Sequence, residues 1–295
     1  MSKSEPPAII PTRGEQMLKL RKKRMAAAPP FLRGGFRPFF FGAATFALIG
    51  MTLWLAVLWG LARLPSGFYG AAWHRHEMLF GFVGAAVSGF LLTAIPNWTG
   101  RLPIAGKPLL LLFALWALAR VFVLVSGLTG MWLAAIFDVG LFLALSALAL
   151  REVVASKNRN MAIVALVFLL GLADAADYLG TAGFISADIG WRGAVALMVI
   201  MISMIGGRII PSFTRNWMVK RGALENLPTQ PQRFDLLVIA STAISLFFWL
   251  GFADHWLTGV MLVLAAGAQT LRLVRWSGHR TGTDPLVLIL HVGYA

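Results

Sequence analysis

Residues 78–95 read MLFGFVGAAVSGFLLTAI, a stretch of apolar and small residues without a charged side chain. A helix of about 20 such residues crosses the hydrocarbon core of a bilayer, so this stretch predicts a membrane-spanning helix. The whole chain agrees, because 58% of its 295 residues are hydrophobic, 13% are charged and its mean hydropathy is +0.76. Soluble domains carry about 25% charged residues. We therefore exclude a soluble globular protein and predict an integral membrane protein.

Similar apolar blocks recur along the chain, and few of them alternate as the strands of a membrane barrel would, which leaves helices as the spanning elements. We predict an all-α, polytopic transmembrane helix bundle with eight full spans. A truncated ninth span is expected to begin near Pro285 and to stop at Ala295, so we expect a C-terminally incomplete chain. Pro96 and Pro211 are expected to end the second and sixth spans. The predicted spans are 39–62, 78–95, 108–126, 130–150, 161–179, 189–209, 234–254 and 256–274.

The net charge of +14 is distributed unevenly among the 26 Lys and Arg residues. Nine of them lie in residues 1–37, and most of the others follow even-numbered spans. The positive-inside rule then places the N-terminus and the even loops in the cytoplasm. We interpret residues 1–38 as a basic cytoplasmic segment that contacts anionic lipid head groups rather than nucleic acid, and residues 39–295 as the transmembrane domain. The chain has no cysteine, which excludes disulfides, iron–sulfur clusters and thiolate-ligated haem.

Two charged residues fall at matching depths in neighbouring predicted spans. Arg120 and Asp138 both come out about 12 Å below the outer membrane boundary, at a rise of about 1.5 Å per residue. A charge at that depth is costly unless it is paired, so we predict that the two form a buried ion pair. The pair would either lock the third and fourth spans together or, with Asp174, line an ion or proton path.

The second predicted span is preceded by His74, His76 and Glu77, which the charge distribution places on the outer side. Residues two apart on a helix point about 200° from each other, so the two histidines cannot hold one ion together. Asp174 and Asp177 lie in the outer part of the fifth span. This excess of titratable groups indicates either a site open to the outside or side chains that mark the membrane interface.

His291 lies in the truncated ninth span, in the sequence LHVGY at 290–294. An ionisable group inside a membrane span is a candidate functional residue. A core histidine bonded to a neighbouring helix is the other reading.

Five motifs in order resemble the NnrS family of bacterial membrane proteins. They are GFRPFF at 35–40, WHRHEMLFG at 73–81, GFLLTAIPNWTG at 89–100, GGRIIPSFTRN at 206–216 and LHVGY at 290–294. The resemblance implies a multi-pass protein of the bacterial cytoplasmic (inner) membrane that binds haem and copper and is linked to nitric oxide stress in denitrifying and related bacteria.

The matched histidines His76, His74 and His291, in that order, are the cofactor and metal ligands that the resemblance favours. Imidazole nitrogen serves both haem iron and copper. Arg37 and Arg208 could meet propionates or phosphates at the cytoplasmic face, although each is also explained as a positive-inside anchor.

Two functions from different classes stay open. The first is a haem- and copper-binding protein of the NnrS type in the response to nitric oxide, with nitric oxide as a ligand. The second is a metal-free transporter or permease in which Arg120, Asp138 and Asp174 line a charged path. No enzyme motif decides whether the chain is an enzyme, and any chemistry would belong to the bound cofactor.

Overall fold

The computed structural model describes residues 12–223 and 225–295, and its regular elements in these ranges are helices without β-strands. Short 3₁₀ turns lie at Pro30–Leu32 and Gly278–Arg280, and a π-helical turn lies at Glu77–Phe82. The α-helices are α1 (Arg13–Ala26), α2 (Phe36–Leu58), α3 (Ala71–His76), α4 (Val83–Thr99), α5 (Lys107–Leu124), α6 (Ser126–Thr129), α7 (Met131–Ala155), α8 (Met161–Thr181), α9 (Asp188–Lys220), α10 (Arg233–Gly251), α11 (Trp256–Val274) and α12 (Pro285–Val292).

Eight helical segments of the described residues are long and apolar enough to cross a membrane, which confirms the predicted helical bundle. Large apolar side chains such as Leu48 and Phe247 are 73% and 76% exposed on these helices. A surface of this kind is compatible with lipid and not with water. The chain is therefore a multi-pass membrane protein. The helix α12 begins at Pro285, where the ninth span was predicted to begin.

The second membrane-spanning segment begins seven residues earlier than predicted. It runs continuously from Ala71 to Thr99 through α3, the π-helical turn and α4. The stretch from His74 to Glu77 is therefore helical, and His76 and Glu77 are fully buried. The helix therefore begins before the predicted start at residue 78, and contacts with other side chains replace water around these polar groups.

Neither predicted proline stop ends a helix. Pro96 lies inside α4, which ends at Thr99, where Gly100 has a left-handed φ of 67°. Pro211 lies inside α9, which continues to Lys220. Membrane helices tolerate proline because neighbouring groups satisfy the carbonyl that it leaves free. As a result, Arg208 lies well inside a long helix rather than near its end.

The helices form two compact units that divide after Tyr178, near the end of α8. In the first unit, α4 packs against α2 and α7, and α5 packs against α7. Two glycines of α4 make this packing close. A Cβ atom at Gly84 would lie 2.9 Å from Phe142, and one at Gly89 would lie 2.8 Å from Phe40. The small residues of this span therefore serve helix packing.

In the second unit, α10 packs against both α9 and α11, and α12 packs against α9. A buried arginine on α11, Arg272, donates a hydrogen bond from Nε to Asp235 Oδ1 at 2.7 Å. The helices of this unit are thus joined by an ionic contact as well as by apolar packing.

Candidate metal centre

His76 is the centre of a buried polar cluster in the first unit. The residue is the last of α3 and is fully buried. Its ring stacks on Phe68, with 4.2 Å between ring centroids, and meets Phe80 and Tyr178 at 5.1 Å each. These three aromatic rings hold the imidazole in one orientation and exclude water from it.

Both ring nitrogens of His76 face carboxylates. Nδ1 lies 2.9 Å from Asp177 Oδ2, and Nε2 lies 3.0 Å from Asp138 Oδ2 and 4.0 Å from Asp174 Oδ1. Carboxylates only accept hydrogen bonds, and a neutral imidazole has a single N–H to donate. One nitrogen of a neutral His76 therefore faces carboxylate oxygens without a hydrogen between them. A second proton or a metal ion is needed on that side.

The guanidinium of Arg120, on α5, lies against the cluster. It forms ion pairs with Glu77 and with Asp138, which confirms the predicted Arg120–Asp138 pair. The hydroxyl of Tyr178 donates a hydrogen bond to Asp138 Oδ2 at 3.3 Å. Asp138 is therefore held by α5 through one oxygen and faces His76 and Tyr178 with the other.

The carboxylates outnumber their partners. Both oxygens of Asp174 are buried without a hydrogen-bond partner, and the same holds for Glu77 Oε1 and Asp177 Oδ1. Asp174 itself is fully buried. The nearest cation to Asp177 Oδ1 is Arg75, whose Nη2 lies 4.0 Å away. Buried carboxylate oxygens are normally hydrogen-bonded or coordinate a metal, so these unpartnered atoms need a proton or a metal ion.

Three donors of the cluster, from His76, Asp138 and Asp174, lie within 4.8 Å of one another. Ligand atoms about 2.1 Å from one ion lie about 3.0 Å apart at right angles and about 4.2 Å apart when opposite. The distances from His76 Nε2, 3.0 Å to Asp138 and 4.0 Å to Asp174, fit that range. The residues present could therefore hold a metal ion.

A haem group does not fit at His76. An axial ligand needs a free nitrogen and an open space beside it for the macrocycle. The ring of His76 is fully buried, stacked on Phe68, and engaged by carboxylates at both nitrogens.

Neither of the other predicted ligands is a member of this donor group. His74, although two residues from His76, stacks on Trp54 at 5.0 Å between centroids, and its Nδ1 is buried without a hydrogen-bond partner. His291 belongs to the second unit, where Nδ1 lies 3.1 Å from Val287 O and Nε2 lies 3.2 Å from the hydroxyl of Thr214.

The two predicted cytoplasmic arginines are exposed. Arg37 donates a hydrogen bond to Pro30 O at 2.9 Å, and Arg208 lies on the surface of α9. Both positions suit the anchoring role that was considered for them.

Two partners of His76 were not predicted from the sequence. Asp177 was counted only as an outer titratable group, and Tyr178 was not considered, although both contact the cluster. One signal was present, because Asp174 and Asp177 are three residues apart and so share a helix face. The contact of Asp177 with a histidine 101 residues away depends on tertiary packing, which spacing alone does not give.

Fold and site together define a multi-pass helical membrane protein with a buried ionic cluster centred on one histidine. A family model described as NnrS protein matches residues 30–295, most of the chain. The chain belongs to the NnrS family, as its motifs predicted. No curated protein and no solved structure matches it.

Proposed function

We propose that this chain is a metal-binding protein of the bacterial inner membrane that acts in the response to nitric oxide. Its metal centre would be the group of His76, Asp138 and Asp174. The observation that carries the metal centre is Asp174, which is fully buried beside His76 with both oxygens unpartnered. The link to nitric oxide and to denitrifying bacteria rests on the resemblance to the NnrS family.

Each residue of the proposed centre has a separate task. His76 would bind the ion through Nε2, while Nδ1–H donates to Asp177 Oδ2 at 2.9 Å and fixes the tautomer. Asp138 and Asp174 would supply carboxylate oxygens. A transition metal held by three side chains keeps positions open for a small ligand such as nitric oxide. The aromatic rings around His76 would keep water away from that ligand.

Of the two cofactors that the family resemblance implies, copper fits this donor set in its divalent state, which accepts imidazole and carboxylate ligands. Haem does not fit at His76. His74 is the other matched histidine of the first unit, and it would have to offer Nε2 to haem, because its Nδ1 is buried.

The test combines metal analysis with an optical spectrum of the detergent-purified chain. We expect bound metal in the wild type and its loss in His76→Ala, with His255→Ala as the matched control, because His255 lies outside the cluster in the second unit. If haem is present, its Soret band should disappear in His74→Ala and persist in His76→Ala. Cells that express His76→Ala should also tolerate a nitric oxide donor less well than cells that express the wild type. Metal content unchanged in His76→Ala would refute the proposed centre.

A metal-free cation transporter is the second candidate. One observation favours it: Arg120, Asp138 and Asp174, the residues expected to line a charged path, lie in one cluster. Arg75 is 33% exposed and lies 4.0 Å from Asp177, which connects the cluster to the surface of the first unit. Cation flux through proteoliposomes, lost in Asp174→Asn and independent of added metal, would favour this function over the metal centre.

A further inference from the structure

Given the metal centre of the proposed function, we infer that the cluster is built for a divalent cation and rejects a monovalent one. The basis of this inference is the net charge of the cluster. Four carboxylates, those of Glu77, Asp138, Asp174 and Asp177, meet two guanidinium groups, those of Arg120 and Arg75.

A metal-ligating imidazole is neutral, so His76 adds no charge to this balance. With a metal ion bound and all four carboxyl groups ionised, the side chains of the cluster carry four negative and two positive charges, a net charge of −2. A divalent cation makes the cluster neutral, whereas a monovalent cation leaves one uncompensated charge. Uncompensated charge is costly in surroundings as apolar as these, where His76, Glu77, Asp138 and Asp174 are all fully buried.

The donor atoms favour the same class of ion. One imidazole nitrogen and two carboxylate oxygens suit hard and borderline divalent ions, whereas monovalent copper prefers thiolate and thioether sulfur. The chain contains no cysteine.

Two residues orient the donors without touching the ion. With Nε2 on the ion, His76 Nδ1–H would donate to Asp177, which directs the Nε2 lone pair toward Asp138 and Asp174. Arg120 engages Asp138 Oδ1 and leaves Oδ2 facing His76. Asp177 also supplies one of the four negative charges, which makes it a positioning residue whose loss changes the charge but not the donor set.

Zn²⁺ and Cu⁺ form the sharpest pair of probes. Both ions have a filled d shell and hence no geometric preference from d electrons, so they differ mainly in charge and softness. The detergent-purified chain is stripped of metal and equilibrated with Zn²⁺ or, anaerobically, with Cu⁺, and the retained metal is measured per protein. We expect about one Zn²⁺ per chain and at least roughly tenfold weaker retention of Cu⁺.

Four variants assign the binding to the cluster. Asp174→Asn should abolish Zn²⁺ retention, whereas Asp188→Asn, a matched change on α9 of the second unit, should leave it unchanged. Asp177→Asn keeps all three donors and should lower the affinity about 10- to 100-fold. Asp177→Glu restores the charge and should recover part of that loss, which a purely structural role would not predict.

The outcomes separate the two proposals. Cu⁺ retained in preference to Zn²⁺, and lost in Asp174→Asn, would overturn the charge inference while the metal centre stands. Retention of neither ion would refute the metal centre itself. Zn²⁺ retained equally by Asp174→Asn would place the ion elsewhere and overturn the inference.

Discussion

Each of the two units buries one arginine among apolar helices, and the two arginines have different surroundings. Arg272 of the second unit pairs with one carboxylate, that of Asp235, and donates from Nη1 to Ser203 O at 2.9 Å and to Tyr294 OH at 3.1 Å. Asp235 Oδ2 in turn accepts the N–H of Gln232 at 2.8 Å. Arg120 of the first unit instead meets two carboxylates directly, with two more close by.

The difference shows how a structural ion pair can be told from a site. No buried side-chain atom of Arg272, Asp235 or Tyr294, all within the described residues, lacks a hydrogen-bond partner. In the cluster around His76, four carboxylate oxygens lack one. A balanced network holds helices together and needs nothing further, whereas an unbalanced one requires a proton or a metal ion. Buried charge alone therefore does not indicate function, but unbalanced buried charge does.

The largest expected effect on the free energy of unfolding comes from replacing either buried arginine. Arg120→Gln leaves Glu77 and Asp138 buried without their cation, and should lower the free energy of unfolding by about 3–5 kcal/mol. Arg272→Gln frees only one oxygen of Asp235, because Oδ2 keeps its hydrogen bond at the start of α10, and should cost about 1–3 kcal/mol. Thermal and denaturant unfolding of the two variants in the same detergent measures the difference. Equal losses would contradict the distinction between the two clusters.

How far the sequence predicts this architecture depends on the kind of interaction involved. The eight spans were predictable because apolar run length is a local property. The Arg120–Asp138 pair was predictable because helices of known rise bring equal depths together. The start of the second span at Ala71 could not be predicted, since a hydropathy scale gives a buried, hydrogen-bonded His76 the same value as a histidine in water.

The candidate site shows the same limit. His76 was singled out from its motif, and Asp174 from its depth in a span, yet nothing in the sequence placed them side by side. The missing information is tertiary, since α3, α7 and α8 each contribute one donor and no spacing along the chain relates them. Pro211 failed as a helix stop for a related reason, because tertiary surroundings in a membrane override a local rule.

A carboxylate-to-amide change should have opposite effects on the free energy of unfolding in the two clusters. In the metal-free protein, Asp174→Asn removes a buried carboxyl group whose two oxygens have no hydrogen-bond partner, and should raise the free energy of unfolding by about 1–2 kcal/mol. Asp235→Asn weakens its hydrogen bonds with Arg272 and Gln232, and should lower it by about 1.5–3 kcal/mol. Unfolding midpoints recorded in the presence of a metal chelator test both predicted changes. If Asp174→Asn destabilises the stripped protein as much as Asp235→Asn does, Asp174 is a structural residue.

The smallest expected effect concerns the glycines that make room for the two arginines. A Cβ atom at Gly81 would lie 2.7 Å from Arg120 Nη1, and one at Gly207 would lie 1.9 Å from Arg272 Nη2. In both cases the clash is with a guanidinium group that is held in an ion pair and must shift, so an alanine should cost about 1–2 kcal/mol, in the lower half of the range for overpacking. Gly267→Ala, on α11 with nothing within 4 Å, is the control and should be neutral or stabilising.

The two alanine variants should nevertheless differ in what they disturb. A Cβ atom at Gly81 would also lie 2.5 Å from Glu77 Oε2, so Gly81→Ala displaces both members of an ion pair beside the proposed metal ligands. Because Arg120 also holds Asp138, we expect Gly81→Ala to weaken Zn²⁺ retention beyond its small effect on stability. Gly207→Ala changes a network without a metal ligand and should affect stability alone. If the two variants retain Zn²⁺ equally, the position of Arg120 does not control the donor group, and its role is to neutralise charge.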